Sequence, residues 1–437
     1  MSRLFVRRSL TAVGIYSSVV LGFAATVVAA KAFDSTRAFG DYATVLFAAA
    51  LSQVFFDLTV EEALVKYGFR YATAEDWGRF RRLFDSALRF KLAGSAVGAA
   101  ALVVFAFLAP SRMMIALLLA AGIPLGQSLE GLAGSVLYLR SRYDLRALLL
   151  AWSMGLRLVG VAIGARYGLA EAIAGVLAAQ VAATAALVAV GLLAFRRFPQ
   201  APARELGDDR KDIRSFIVQS SAATGVLSLR ASLAPLLLGA VTTTTQVGLL
   251  RVAQAPQSAF QSLSAPARMV LLTEQTREWE RGNQSAVLRG VRRYSVAAFL
   301  VSLVLVPPLY IYLPTLIRWI YDPAYVAAAN AARVFTIAAA VQFIFGWTKS
   351  FPVTIGRPGL RVVTHGVEAL VVLPLVVVLG AKWGATGAAA AVLVGMVVFA
   401  VMWVFIFLRI EPSDVQRPPA VDEIVAEDES EAGALAR

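Results

Sequence analysis

The feature that most constrains this chain is a series of apolar stretches of about 20 residues, the length that spans a bilayer as a helix. Helices suit that environment because every backbone amide must be hydrogen-bonded where water is absent. The sequence is 59% hydrophobic and only 16% charged, which excludes an ordinary soluble globular protein. The predicted fold class is therefore an all-α polytopic membrane protein with twelve transmembrane helices. The windows lie at residues 10–33, 42–64, 90–109, 113–137, 147–165, 171–195, 216–239, 247–272, 294–313, 327–348, 363–380 and 386–408.

The distribution of charge predicts how these helices are oriented. The chain has 41 lysines and arginines against 28 aspartates and glutamates, a net charge of +13. When the N-terminus is placed in the cytoplasm, most of the basic residues fall in cytoplasmic segments, which is the bias that orients membrane proteins. The basic excess is thereby explained, and no nucleic acid partner is expected. Both termini are predicted to be cytoplasmic.

The first apolar window follows three arginines, as the core of a secretory signal does. It runs from residue 10 to residue 30 and is longer than the ~7–15 apolar residues of a signal peptide, so we predict an uncleaved first helix. The sequence contains no cysteine, which excludes disulfides and thiolate metal sites.

Weak internal repetition predicts two similar halves. Residues 164–168, Gly-Ala-Arg-Tyr-Gly, recur at 380–384 as Gly-Ala-Lys-Trp-Gly, which aligns the fifth window with the eleventh. Because six is an even number, both halves enter the membrane from the same side, as two parallel six-helix repeats with a substrate site between them. The predicted domains are an N-terminal lobe at 1–200, a C-terminal lobe at 201–409 and an acidic, disordered cytoplasmic tail at 410–437.

The eighth window carries a polar stripe on an otherwise apolar helix. At about 100° per residue its arginines and glutamines share one face, and in a dry bundle so many polar groups would need many partners. We predict that this face lines a substrate cavity and that Pro256 and Pro266 bend the helix. The candidate substrate-binding residues are Arg251, Gln254, Gln257, Gln261 and Arg268 in this window, Arg230 in the seventh, and Arg157 and Arg333 in other spans.

Acidic residues are concentrated in the spans of the first half. Asp57 and Glu61 are four residues apart in the second window, and Glu130 lies in the fourth. The cavity is therefore expected to be cationic mainly on its C-terminal wall and acidic on its N-terminal wall, with these three acids in ion coupling or gating. The alternative is that a pair such as Arg157 with Glu130 is structural.

The sequence lacks the common signatures of catalysis. No lysine lies in a Gly-x-x-x-x-Gly-Lys arrangement, so a P-loop and the use of ATP are not expected. The single histidine, His365, excludes a histidine pair for a metal, and with Glu368 nearby it is interpreted as part of a helix interface rather than a proton relay. These observations favour a transporter with no catalytic residue, metal or cofactor over an enzyme.

Six short motifs recur in an order and spacing that resemble a known family. They are Phe39-Gly40-Asp41-Tyr42, Phe56-Asp57-Leu58, Val247-Gly248-Leu249-Leu250, Tyr325-Val326-Ala327-Ala328-Ala329, Ile355-Gly356-Arg357-Pro358 and Trp383-Gly384-Ala385-Thr386-Gly387-Ala388. On these motifs the chain, to about Arg409, resembles the Wzx-like oligosaccharide and polysaccharide flippases. These flippases form a branch of the multidrug/oligosaccharidyl-lipid/polysaccharide exporter superfamily, which also contains multidrug (MATE) exporters and lipid II flippases.

This resemblance implies a V-shaped pair of six-helix bundles that works by alternating access in the bacterial cytoplasmic (inner) membrane. The implied substrate is an undecaprenyl-pyrophosphate-linked oligosaccharide, carried for the assembly of a surface polysaccharide such as O-antigen or exopolysaccharide. The implied partners are this lipid-linked oligosaccharide, membrane lipids, and a polysaccharide polymerase and glycosyltransferases.

On this hypothesis Arg230, Arg251 and Arg268 hold the pyrophosphate, since a guanidinium matches phosphate oxygens. The glutamines of the stripe contact sugar hydroxyls. The acids either bind a proton or Na⁺ better in one state than in the other, or close the cavity by pairing with the arginines. Two rivals remain open. A predominantly acidic lumen would favour a MATE-like drug or small-solute antiporter, whereas the short outside loops argue against a polysaccharide polymerase-type membrane enzyme.

Overall fold

The computed structural model describes residues 3–56, 60–262, 275, 278–279, 282–355, 357 and 359–410. In these residues the regular structure is entirely helical, without strands. The predicted site residues Asp57 and Arg268, and the acidic tail beyond residue 410, lie outside the described residues.

The helices follow the apolar windows closely. In the first half they are α1 (Arg3–Ala32), α2 (Thr36–Phe56), α3 (Val60–Thr73), α4 (Trp77–Leu108), α5 (Ser111–Ala120), α6 (Ile123–Leu139), α7 (Tyr143–Gly164) and α8 (Leu169–Phe195). In the second half they are α9 (Asp209–Val241), α10 (Thr244–Ala253), α11 (Gln284–Ile320), α12 (Ala329–Ile344), α13 (Phe351–Thr354) and α14 (Gly359–Leu408). Residues 255–262 are also helical, and the segments Pro323–Ala328 and Gly346–Lys349 are 3₁₀ helices.

Within the described ranges, eight helices are long and apolar enough to cross a membrane. One of them, α14, contains both the eleventh and the twelfth window, which meet at Gly384, where a φ of +57° breaks the helical path. The fourth window is divided between α5 and α6 at residues 121–122, and the eighth is interrupted by a turn at Gln254. Breaks of this kind leave few backbone groups without partners when neighbouring helices surround them.

Three helices extend well beyond the bilayer. α4 has 32 residues, α9 has 33 and α11 has 37, whereas about 20 residues span the hydrocarbon core. The first turn of α4 is fixed by Asp76, whose Oδ1 accepts a hydrogen bond from the backbone amide of Arg79 at 3.0 Å. Parts of the basic segments predicted as cytoplasmic loops are therefore helical extensions of the membrane spans.

The helices of each half pack against one another. In the first half α1 lies along α7, and α7 lies against α8. In the second half α9 lies along α14, and α12 contacts both α11 and α14. Between the halves, α2 contacts α9 and α10, and α3 contacts α9. The boundary near residue 200 stays a prediction.

The halves cross tightly at the ends that the predicted topology places outside the cell, and they also meet at the opposite end, where α3 contacts α9. We call the crossing at the outer ends the outer contact; it comprises Ala30, Phe39 and Gly40 of the first half and Thr244, Gly248 and Tyr325 of the second. A Cβ atom on Gly40 would lie 1.9 Å from the carbonyl oxygen of Thr244, and one on Gly248 would lie 3.0 Å from that of Thr36. Only glycine at position 40 therefore allows α2 and α10 to cross at this distance.

Candidate functional site

A cavity of about 340 Å³ lies between the two halves. We call it the central cavity. The first half supplies most of its walls, from α1, α2, α6 and α7, and the second half supplies Arg251 from α10. Among the described residues that line it, none is Asp or Glu. Its polar lining residues are Thr26, Tyr42, Gln53, Gln127, Arg157 and Arg251.

Two arginines from opposite halves give the central cavity its charge. Arg157 and Arg251 lie close enough for their positive charges to repel each other. Neither has an ion-pair contact among the described residues, although Arg157 lies within the electrostatic range of Glu130. The Arg251 guanidinium lies 5.5 Å from the centroid of the Phe47 ring. Nearby, Oε1 of Gln127 is buried without a hydrogen-bond partner in the described structure. Two arginines without ion-pair contacts in one cavity favour an anionic ligand that several donors can bind.

A second cavity, of about 530 Å³, adjoins the first. We call it the lateral cavity, because α1 and α11 form its walls and Val19, Val20 and Phe23 of α1 are exposed at the surface. Its walls are mostly aliphatic, and no carboxylate occurs among the lining residues that the structure describes. The two cavities share Gly22, Thr26 and Arg251. An apolar space open at the surface therefore leads to a cationic space between the halves.

The predicted polar stripe of the eighth window divides between two environments. Arg251 lines both cavities and Gln254 lines the lateral one. The side-chain amides of Gln257 and Gln261 instead donate to Oε1 of Gln342 on α12, at 3.3 and 3.1 Å. The turn at Gln254 interrupts the helix, so a constant 100° per residue does not keep the whole stripe on one face.

Arg230 has a partner within the second half. Its guanidinium forms an ion pair with the carboxylate of Glu368 on α14. The same carboxylate lies 2.9 Å from Nδ1 of His365, whose ring stacks on Phe399. The structure thus places Arg230 between α9 and α14 and outside the lining of either cavity, which differs from the predicted orientation into the lumen. Its role in substrate binding stays a prediction. The interface interpretation of His365 and Glu368 agrees with this geometry.

Arg333 also lies away from both cavities. Its Nε donates to the carbonyl oxygen of Tyr310 at 3.1 Å, and its Nη1 donates to Oδ1 of Asn330 at 3.2 Å. The guanidinium lies over the Tyr310 ring. These contacts join α11 to α12.

The described acids of the first half face their own bundle. Glu61 forms an ion pair with the fully buried Lys91, and its carboxylate packs against Gly131. Glu130 accepts a hydrogen bond from Thr184 at 3.4 Å. Neither Glu61 nor Glu130 is among the described residues that line the central cavity, although Glu130 lies within the electrostatic range of Arg157. The role of these acids in ion coupling or gating stays a prediction. The first half instead contributes the cation Arg157.

Two polar side chains that matter in the structure are absent from the candidates predicted from the sequence. Gln127 is a single amide in an apolar window, and Lys91 stands at the start of the third window. Isolated polar residues in such windows were the available signal, because each must find a partner or a ligand in the membrane. Their partners come from other helices and are not visible in local periodicity.

Comparison with known proteins shows the fold. No family model matches the sequence, and no curated protein matches it. The lipid II flippase MurJ in an inward closed conformation is similar, with a TM-score of 0.72, 15% identity, and coverage of 91% of this chain and 87% of that chain. An inward-facing multidrug resistance MATE family transporter gives a TM-score of 0.66, with 12% identity over 93% of this chain and 98% of its own.

The outward-facing conformation of a multidrug resistance MATE family transporter gives a lower TM-score of 0.58, with 12% identity over 91% of this chain and 94% of its own. The solved structures with which this chain shares its fold are transporters. The predicted all-α fold with two six-helix repeats is confirmed. The chain has the fold shared by the lipid II flippase MurJ and the MATE family transporters.

Proposed function

We propose that this protein is an alternating-access flippase for an anionic, lipid-linked oligosaccharide, with an undecaprenyl-pyrophosphate carrier as the expected lipid. The observation that carries the proposal is the junction of the two cavities at Arg251, where an apolar space open at the surface meets a carboxylate-free space with two arginines. An amphiphile with a long apolar tail and an anionic head matches both parts. A cationic drug matches neither, since the described lining offers it no acid.

In this mechanism Arg157 and Arg251 bind the pyrophosphate from opposite halves. A guanidinium donates in a planar fork that matches phosphate oxygens, and such charge-assisted hydrogen bonds are stronger than neutral ones. Tyr42, Gln53 and Gln127 are positioned to bond to sugar hydroxyls near the phosphate. The lipid tail remains in the lateral cavity and the bilayer, so that only the polar head crosses between the halves.

Alternating access then requires the outer contact to open. An anion bound between Arg157 and Arg251 reduces the repulsion between the two charges. The binding free energy must differ between the inward-open and outward-open states for the substrate to drive the change. The coupling ion is proposed to be a proton or Na⁺, with Glu130 as the described candidate. A polysaccharide polymerase and glycosyltransferases are the proposed partners that consume and supply the lipid-linked substrate.

The test is transport by purified protein in proteoliposomes. A fluorescent undecaprenyl-pyrophosphate oligosaccharide is incorporated, and its exposure to a membrane-impermeant quencher is followed. We expect Arg157→Gln and Arg251→Gln each to slow flipping by about tenfold to a hundredfold, the value of one charged hydrogen bond. Arg251→Lys should retain part of the activity.

Arg318→Gln serves as the matched control, because Arg318 is an exposed arginine on α11 that lines neither cavity. Its flipping rate should equal that of the wild type. Normal flipping by the double variant Arg157→Gln/Arg251→Gln would eliminate the cationic site. Transport of a cationic dye in place of the anionic lipid would instead identify a MATE-like antiporter.

A further inference from the structure

A third cavity, of about 580 Å³, lies at the predicted cytoplasmic end of the bundle. It is formed by α3, α4, the segment before α9 and the first turns of α9. It shares no lining residue with the central or lateral cavity. The substrate path proposed above therefore does not account for it.

Three arginines surround this cavity. Arg82 comes from α4, and Arg210 and Arg214 come from consecutive turns of α9, whereas Glu205 is the one acid among the described lining residues. None of the three guanidinium groups has an ion pair or hydrogen bond within the described structure, and all three are exposed. Their charges are therefore available to a ligand.

Neighbouring arginines on α3 and α4 are already paired with an acid of α9. Arg70 and Arg79 each lie 3.4 Å from the carboxylate of Asp209, which also accepts a hydrogen bond from the Tyr71 hydroxyl at 3.0 Å. Burial, and then that hydrogen bond to Asp209, raise the pKa of Tyr71, so its hydroxyl stays a donor at physiological pH. The chain thus balances the charges that join α3 and α4 to α9, yet leaves the cavity arginines unbalanced.

The inner wall of the cavity is apolar. Leu64, Leu83 and Ile213 are buried at its base, while Phe90 and Val218 are exposed at its edge. Arg82 precedes Phe90 by eight residues, and Arg210 precedes Val218 by eight, which corresponds to about 12 Å along each helix. Both helices begin on the predicted cytoplasmic side, so the arginines lie outward and the exposed apolar side chains lie toward the bilayer core.

We infer that this cavity binds the head group of an anionic phospholipid from the cytoplasmic leaflet. The arginines contact the phosphate, and Phe90 and Val218 contact the upper part of an acyl chain. Basic pockets at this membrane depth attract anionic lipids through both electrostatics and burial. A free phosphate would leave the apolar edge unused. The bound lipid joins α3 and α4 of the first half to α9 of the second.

The test is native mass spectrometry of the full chain in a neutral detergent, titrated with dioleoylphosphatidylglycerol, with dioleoylphosphatidylcholine, or with inorganic phosphate. The wild type should retain phosphatidylglycerol in preference to the other two. The variant R82Q/R210Q/R214Q should bind it roughly tenfold more weakly or worse, since each arginine near the surface contributes severalfold.

The matched control removes three exposed arginines from the same predicted side but outside the cavity, in R197Q/R289Q/R293Q. We expect its affinity for phosphatidylglycerol to stay within about twofold of wild type, because the three arginines that line the cavity are unchanged. An equal loss in both variants would show a diffuse charge effect and overturn the inference. So would equal binding of the two lipids, or binding of phosphate without preference for lipid.

A fourth variant separates this site from the substrate site. In R157Q/R251Q, binding of phosphatidylglycerol should be unchanged whatever happens to flipping. Loss of phosphatidylglycerol in that variant would place the lipid in the central or lateral cavity and overturn the inference. Thermal unfolding of each variant without lipid identifies any that fail to fold, and the single variants R82Q and R214Q then replace the triple one.

Discussion

The hydroxyl of Tyr325 donates a hydrogen bond to the backbone carbonyl oxygen of Ala30 at 2.9 Å, across 295 residues of sequence. The Tyr325 ring also meets the edge of Phe39, with centroids 5.6 Å apart. Both interactions cross from the second half to the first. The outer contact thus combines a buried hydrogen bond, an aromatic pair and the close crossing of α2 with α10, and these must separate together when the protein opens outward.

Substitution of Gly40 is expected to open the outer contact. In Gly40→Ala the added methyl would lie 1.9 Å from the carbonyl oxygen of Thr244, so α2 and α10 must move apart. Because the chain contains no cysteine, one can be introduced at Ala43, which is buried in this region. A membrane-impermeant maleimide should label Ala43→Cys several times faster in the Gly40→Ala background, by roughly the factor expected when the closed state loses 1–2 kcal/mol of stability.

Gly290→Ala is the control, since nothing lies near its Cβ position. Unchanged labelling would mean that the crossing does not hold the closed state.

The ion pair of Arg230 with Glu368 is expected to stabilise the fold. Removal of one partner leaves the other as an uncompensated buried charge, so Arg230→Gln and Glu368→Gln should each lower stability by about 3–5 kcal/mol. The double variant should lose less than the sum of the two, as a coupled pair does. The measurement is thermal unfolding in detergent. If Arg230→Gln instead keeps the wild-type unfolding temperature and stops flipping, Arg230 acts on the substrate, as the sequence suggested.

Glu130 is expected to respond to a proton gradient. Among the described residues it has no ion-pair contact and accepts hydrogen bonds from Gln180 and Thr184, with Arg146 and Arg157 within electrostatic range, whereas Glu61 is held by Lys91. If Glu130 carries the coupling proton, Glu130→Gln should transport without acceleration by an imposed pH difference, while its basal rate persists. Flipping in proteoliposomes with and without the gradient provides the measurement.

Glu61→Gln is the comparison variant. It should reduce the stability of the protein and leave the response to the gradient intact. A normal gradient response in Glu130→Gln would remove this residue as the coupling site, and Asp57→Asn would be tested next.

The break in α14 is expected to require glycine. Gly384 has a φ of +57°, and a Cβ there would lie 2.3 Å from Oε1 of Gln246, which accepts a hydrogen bond from the Ala385 amide at 2.8 Å. Gly384→Ala should therefore destabilise the protein by about 1–3 kcal/mol. Gly366→Ala lies on the same helix with nothing near its Cβ position and should be neutral or stabilising by up to about 1 kcal/mol. Thermal unfolding of the two variants compares them directly, and equal unfolding temperatures would contradict the assignment.

The motifs that resembled a known family are now seen to have a packing role. Gly40 and Gly248 lie at the crossing of α2 with α10, Tyr325 joins the outer contact, and Gly384 lies against Gln246. Their order in the sequence predicted the fold because they mark positions where helices must approach closely or break. They do not line the cavities with charge, so the motifs alone could not identify the substrate.

The sequence by itself determined that this protein is a bundle of membrane-spanning helices, because backbone amides in the hydrocarbon core are satisfied within a helix wherever an apolar stretch is long enough. It also identified the polar residues that had to find partners. Only the tertiary structure decided which partners those are. In the sequence, Arg230 and Arg251 are alike, since each is a charged residue in an apolar window. In the structure, Arg230 pairs with Glu368, which lies 138 residues away in the chain, whereas Arg251 lines a cavity together with Arg157. The charge of a cavity depends on which helix faces pack together. Packing between segments that are distant in the sequence decides this, and the periodicity of a single helix does not.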